Sequence, residues 1–219
     1  EFRTANGDRS ISTFDHGGDG TFKKTGGSKF TQTSSASDIT YSATGLVHVA
    51  EGVYEFGGAT PGNWSSNLGS MQIDSGATFE GRATEIFIDA LDGAGTFGIG
   101  GKSATGTGVA LTIGVSNGGG TFSGAIKKTT DYGTGYVGAP FSLEKVGTGT
   151  QTLNGNNTYT GATTISAGQL NIGGTNVSSI TVGTGAGSGA NLGGEGSTTG
   201  NITFTESTHT LEIDAGTVA

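Results

Sequence analysis

Residues 143–174 read Leu143-Glu144-Lys145-Val146-Gly147-Thr148-Gly149-Thr150-Gln151-Thr152-Leu153-Asn154-Gly155-Asn156-Asn157-Thr158-Tyr159-Thr160-Gly161-Ala162-Thr163-Thr164-Ile165-Ser166-Ala167-Gly168-Gln169-Leu170-Asn171-Ile172-Gly173-Gly174. Three short apolar pulses stand out, at Gln151–Leu153, Ala162–Ile165 and Gln169–Ile172. Each alternates as a half-buried strand does. Each is closed by glycine or asparagine, at Gly155-Asn156-Asn157, Gly168 and Gly173-Gly174. The pattern predicts strand, turn, strand, turn, strand, with no room for a helix. Such a unit has too little core of its own and needs copies stacked above and below it.

The order of these residues resembles the autotransporter-associated β-strand repeat of secreted bacterial passenger regions. The resemblance runs through Leu143, Lys145, Gly147, Gly149, Thr150, Leu153, Gly155, Asn157, Tyr159, Gly161, Thr163, Ile165, Gly168, Leu170, Ile172 and Gly173. It implies an all-β fold, a right-handed parallel β-helix with degenerate repeats. It also implies an exported protein, extracellular or at the cell surface. The family is known for architecture and export, so the resemblance implies no particular chemistry.

Outward from this stretch, composition supports the same class. Glycine takes 45 of 219 positions and proline only 2. Glycine has no three-residue period, which excludes collagen. A glycine inside a strand costs about 0.5–1 kcal/mol against alanine, so most must serve turns or close backbone approach. Recurring strand-like pulses argue against disorder. Cysteine is absent, which removes disulfides and thiolate metal ligands. The net charge of −8 and only two basic doublets, Lys23-Lys24 and Lys127-Lys128, argue against nucleic acid as a partner. No apolar run reaches the ~20 residues of a membrane-spanning helix. The sequence opens on Glu1 with no apolar leader, so we read it as processed or as a fragment.

Residues 1–17 read as an N-terminal arm or cap, with a strand-like pulse at Ser10–Phe14. Residues 18–219 read as a single solenoid, with loop insertions near 59–70 and 127–142. The lone tryptophan, Trp64, reads as packing the first insertion down rather than as a sugar platform. A corner form recurs at Val49–Gly52, Ile73–Gly76, Ile165–Gly168 and Ile213–Gly216. At roughly 20–25 residues per coil the chain makes about nine coils. At ~4.8 Å per coil that is a rod of about 40–45 Å.

Candidate chemistry is sparse. Asp89 and Asp92 are the closest carboxylates in strand context, and they read as a solvated strand end and turn. His16, His48 and His209 lie in unrelated pulses, so no nucleophilic triad is supported. Asp15-His16-Gly17-Gly18-Asp19-Gly20 is one imperfect copy of a calcium-binding β-roll turn, which leaves a weak calcium site at Asp15 and Asp19 open. Gly185–Gly189 lacks the Lys-Ser/Thr ending of a phosphate loop. No catalytic, cofactor or metal site is otherwise expected. Three functions stay open. One is a structural protein that self-associates head to tail, as a homo-oligomer, into a fibre or surface layer. Another is a stalk or scaffold piece of an autotransporter passenger. The third is a polysaccharide-active β-helix enzyme.

Overall fold

The computed structural model describes residues 2–3, 7, 9–11, 17–32, 40–57, 62–99, 109–128, 140–183, 189–205 and 210–211. The strands follow one another three to a coil. Coil one carries β1 (Phe2–Arg3), β2 (Arg9–Ile11) and β3 (Gly17–Gly18). Coil two carries β4 (Thr21–Thr25), β5 (Lys29–Gln32) and β6 (Thr40–Tyr41). Next come β7 (Leu46–Val49), β8 (Val53–Phe56) and β9 (Gly62–Trp64), then β10 (Ser70–Ile73), β11 (Thr78–Gly81) and β12 (Ala83–Ile88). Coil five has β13 (Leu91–Gly93), β14 (Thr96–Ile99) and β15 (Val109–Ile113). Coil six has β16 (Thr121–Phe122), β17 (Ala125–Lys128) and β18 (Phe141–Lys145). Coil seven has β19 (Thr150–Leu153), β20 (Asn156–Asn157) and β21 (Thr163–Ile165). Coil eight has β22 (Gln169–Ile172), β23 (Thr175–Asn176) and β24 (Ile180–Val182). Coil nine has β25 (Asn191–Gly193), β26 (Ser197–Thr198) and β27 (Ile202–Phe204), and β28 (Thr210–Leu211) opens a tenth.

First strands stack into a ten-stranded face, here face A. Second strands make a six-stranded sheet from β2 to β17, and β20, β23 and β26 continue it as face B. Third strands from β9 to β27 make the seven-stranded face C. Strands β3 and β6 pair separately, ahead of the corner that leads to face A. Every strand pairing among the described residues is parallel, and no helix occurs among them. The architecture is a parallel β-helix. Coil length varies. Between Phe122 and its partner Leu153 the chain inserts residues 129–139, whereas Leu153 finds Ile172 by the short route of β20 and β21.

Of the first expected insertion, 59–70, residues 59–61 lie outside the described residues. Gly62–Trp64 is strand β9, which pairs with β12, so this part runs in face C. Residues 129–139 of the second lie outside the described set; Lys127 and Lys128 belong to β17 and Phe141 to β18. The pulse expected at Ser10–Phe14 overlaps β2, which pairs with β5.

Alternation puts one side of every strand into a continuous core. On face B, Phe30, Tyr54, Phe79 and Phe97 occupy one register position on successive coils. Their ring centroids lie 5.5, 5.6 and 5.2 Å apart in turn. Trp64 is fully buried against Phe56 at 5.2 Å and Phe79 at 5.4 Å, as a packing role requires. Leu153, Ile165, Leu170 and Ile172 all point inward, as expected. Burial of each such side chain contributes about 1.5–3 kcal/mol.

Glycine stacks on glycine where coils turn from face A to face B. A Cβ on Gly155 would strike the Gly124 carbonyl oxygen, one on Gly174 would strike that of Gly155, and one on Gly196 that of Gly174. The coils can approach to strand spacing at this edge only without side chains.

The recurring corner does not form one column. Val49 and Ile73 pair, and their corners stack between faces A and B. Ile165 pairs with Lys145 and Val182, so its corner lies between faces C and A. One sequence form serves two edges of the solenoid. Residues 213–216 lie outside the described residues.

Candidate functional site

The chemistry-bearing side chains gather at the corners. Lys145 stands in the inward ladder of face C, between Ile113 and Ile165, and is fully buried. Its Nζ donates to the carbonyls of Val146 at 2.6 Å, Gly147 at 3.0 Å and Ala167 at 3.4 Å. Burial pushes the ammonium down to about 8, and the charge of Asp89 opposes that shift. Lys24 repeats the arrangement on face A. It is also fully buried, and its Nζ donates to Thr25 O at 3.3 Å, to Gly26 O and to Glu51 O at 2.7 Å. Burial lowers its pKa as well, with Glu51 opposing. In both places the lysine binds its own turn and the corner of the next coil. A buried ammonium is tolerated only with such partners.

The carboxylates are spent in the same way. Asp89 is 7 % exposed, so it is not the solvated strand end that its sequence context suggested. Its Oδ1 accepts the amides of Ser116 at 2.7 Å and Gly118 at 2.8 Å, one coil on. Asp92 Oδ1 accepts the amide of Thr121 at 2.9 Å. Both carboxylates supply acceptors to the next coil where its backbone leaves the ladder. Glu55, nearly buried, holds Arg82 at 2.7 Å and Lys29 at 3.4 Å. Asp19 Oδ1 accepts the hydroxyls of Ser42 and of Thr44, the latter at 3.0 Å. Those two hydrogen bonds hold its carboxyl below the ordinary value. Asp15, the other residue of the expected calcium site, lies outside the described residues, as do His16 and His209.

His48 faces outward on face A, with Nε2 2.8 Å from Asp74 Oδ2, and Gln72 donates to Asp74 Oδ1 at 2.8 Å. Burial works against the Asp74 charge. The hydrogen bonds from Gln72 and His48, with the charges of His48 and Lys23, outweigh it and hold the carboxyl below its usual value. The register neighbours of His48 are Lys23 and Gln72, neither of them a hydroxyl nucleophile. Among the described residues no group of three or more His, Cys, Asp or Glu could hold a metal ion. No helix among them is long and apolar enough to cross a membrane.

Buried amides and hydroxyls complete the corners. Gln151 points inward just ahead of the point where β19 begins to pair with β16, and its side chain reaches past coil six to coil five. Its Oε1 accepts from Leu91 N at 3.1 Å, and its Nε2 donates to Leu91 O at 2.8 Å. One carboxamide there replaces a missing peptide group. Asn157 accepts from Ile126 N at 3.0 Å and pairs in register with Asn176. Tyr159 packs on Phe141 at 5.2 Å, and its hydroxyl bonds Thr163 at 2.7 Å, which bonds Ser178 at 2.6 Å. Burial raises the Tyr159 pKa, against the hydrogen bonds of Thr163 and Ser178.

Lys145, Lys24 and Gln151 were not foreseen as buried. Parity could have found them. Lys145 sits two residues from Leu143, Lys24 two from Phe22, and Gln151 two from Leu153. In a strand that spacing means the same face.

No curated protein and no solved structure matches the chain. Of the motif residues, Leu143, Lys145, Leu153, Asn157, Tyr159, Thr163, Ile165, Leu170 and Ile172 are buried, while Thr150 faces outward. Residues 143–172 match the family model described as the Passenger-associated-transport-repeat, so this segment is similar to the repeats of autotransporter passengers.

Proposed function

We propose that the chain is a structural element of an exported bacterial surface protein and works as a rod rather than as an enzyme. One observation carries this reading. The inward charged and polar side chains of this segment are spent on its own turns and on neighbouring coils: Lys145 on Val146, Gly147 and Ala167, Gln151 on Leu91, Asn157 on Ile126. We expect no turnover of pectic, cellulosic or chitin-like polymers, which separates the rod from a polysaccharide-active β-helix. Export is tested by protease shaving of intact cells that produce the full-length protein. The reading fails if the segment stays protected until the cells are lysed.

Head-to-tail assembly into a fibre or surface layer is a further reading, beside a plain stalk. Ile202 and Phe204 pair with the inward Ile180 and Val182, yet they are 38 % and 36 % exposed. A coil stacked beneath them would cover core positions; a second copy supplies it in a fibre, and further coils of a longer chain supply it in a stalk. Light scattering against concentration tests it. Mass should rise with concentration, and Phe204→Asp should abolish the rise. A chain that stays monomeric at high concentration refutes fibre formation and leaves the stalk.

A further inference from the structure

Residues 146–194 contain no Asp, Glu, Lys or Arg, although the chain carries 28 such residues elsewhere. This stretch builds most of coils seven to nine. At its corner between faces C and A lies a groove of about 230 Å³ lined by Thr148, Thr150, Gly168, Gln169, Gly189 and Asn191. Thr150, Gln169 and Asn191 are register partners, so the groove runs along the rod across three coils. Successive coils lie ~4.8 Å apart. Gly189 opens it, since an added Cβ there would meet nothing within 4 Å.

The walls carry hydroxyls and carboxamides, which both donate and accept hydrogen bonds. Asn191 Nδ2 is held by Gly189 O at 3.1 Å, and Gln169 Nε2 by Asn171 Oδ1 at 2.8 Å, so these amides are oriented. No charge from this stretch offers an ion pair, and the net charge of −8 disfavours a polyanion. We propose that this groove binds a neutral glycan, its sugar hydroxyls laid along the Thr150–Gln169–Asn191 ladder. Hydroxyl-rich neutral chains match both the bifunctional walls and the absence of charge.

Affinity electrophoresis of the full chain in gels containing dextran, mannan or amylose tests the proposal, with alginate as the acidic control. At least one neutral polymer should retard the protein, and alginate should not. Thr150→Val with Asn191→Ala removes two polar groups from outward strand positions. It should weaken retardation about five-fold, the scale of one to two lost hydrogen bonds. Thr148→Val is a second probe, and melting curves confirm that each variant is folded. No retardation by any neutral polymer, or equal retardation of the folded double variant, overturns the proposal. So does side-by-side association without glycan that the same substitutions abolish, which would give this face to a second copy. Failure here leaves head-to-tail assembly standing, because that rests on Ile202 and Phe204.

Discussion

Replacing Lys145 by methionine isolates what a buried ammonium does in a solenoid corner. Methionine keeps an unbranched side chain and removes the charge. Two opposing effects follow. Loss of the ammonium relieves a burial cost, visible as the fall of its pKa from 10.5 to about 8. At ~1.36 kcal/mol per unit this is at most about 3 kcal/mol, and roughly half of that where the corner carbonyls meet solvent. Against it, the carbonyls of Val146, Gly147 and Ala167 lose their donor. Hydrogen bonds to a charged group are worth about 1.5–3 kcal/mol each, so the loss exceeds the relief. Lys145→Met should therefore destabilise the protein at pH 7 by about 1.5 kcal/mol or more.

The pH dependence gives the sharper test. Folded Lys145 releases its proton near 8, whereas an unfolded lysine holds it to 10.5. Between those values the unfolded chain binds more protons, so stability rises with pH. The contribution is absent below the folded value and complete above the unfolded one. Tyr54 and Tyr159 act in the opposite direction at higher pH, since burial raises both. They are common to both proteins and cancel in the comparison. Urea unfolding at intervals from pH 7 to 10 should show wild type gaining about 1.5–3 kcal/mol more than Lys145→Met. Parallel profiles for the two proteins would show that Lys145 is solvated, and the cage reasoning would fail.

Gly155→Ala places a methyl against the Gly124 carbonyl and should cost more than about 3 kcal/mol or prevent folding, read by urea midpoint. Gly20→Ala has open space for its methyl and should change stability by no more than about 0.5 kcal/mol. Gln151→Leu leaves the amide and carbonyl of Leu91 without their partner across coil six, and should cost about 1–3 kcal/mol in the same assay. Leu170→Asp buries a charge between Gln151 and Leu192 and should abolish soluble folded protein; a wild-type melting curve would refute the register.

The coil was legible because its signals are local. Alternation in Leu143–Lys145 and Gln169–Ile172, with glycines at Gly147 and Gly168, states strand and corner within a few residues. Both glycines adopt positive φ, of 64° each. The inward direction of Leu153, Ile165, Leu170 and Ile172 followed from the same parity. What hid was identity overriding parity. A lysine at an inward position reads as an exposed residue until the three carbonyls of its corner are known. Asp89 was misread for a related reason: its partners, Ser116 and Gly118, lie 27 and 29 residues downstream. Coil length was equally opaque. A uniform repeat length cannot foretell that Phe122 skips past 129–139 to pair with Leu153, while Leu153 pairs with the much nearer Ile172.

The two lysine corners explain why the repeat tolerates such irregular spacing. Lys24-Thr25-Gly26 turns the chain from face A to face B, while Lys145-Val146-Gly147 turns it from face C to face A. In each, the cation clamps its own turn and the following coil's Glu51 or Ala167. The contacts are local in space and depend on no particular edge. A corner that carries its own clamp can sit at any vertex of the solenoid, provided an inward strand position precedes it and a carbonyl-rich turn lies one coil on. The unit of stacking is then the corner rather than the whole coil, and chain can lengthen between corners without disturbing the ladder. Coil six does this, spanning 129–139 between β17 and β18 while Leu143 and Lys145 stay in register with Leu111 and Ile113.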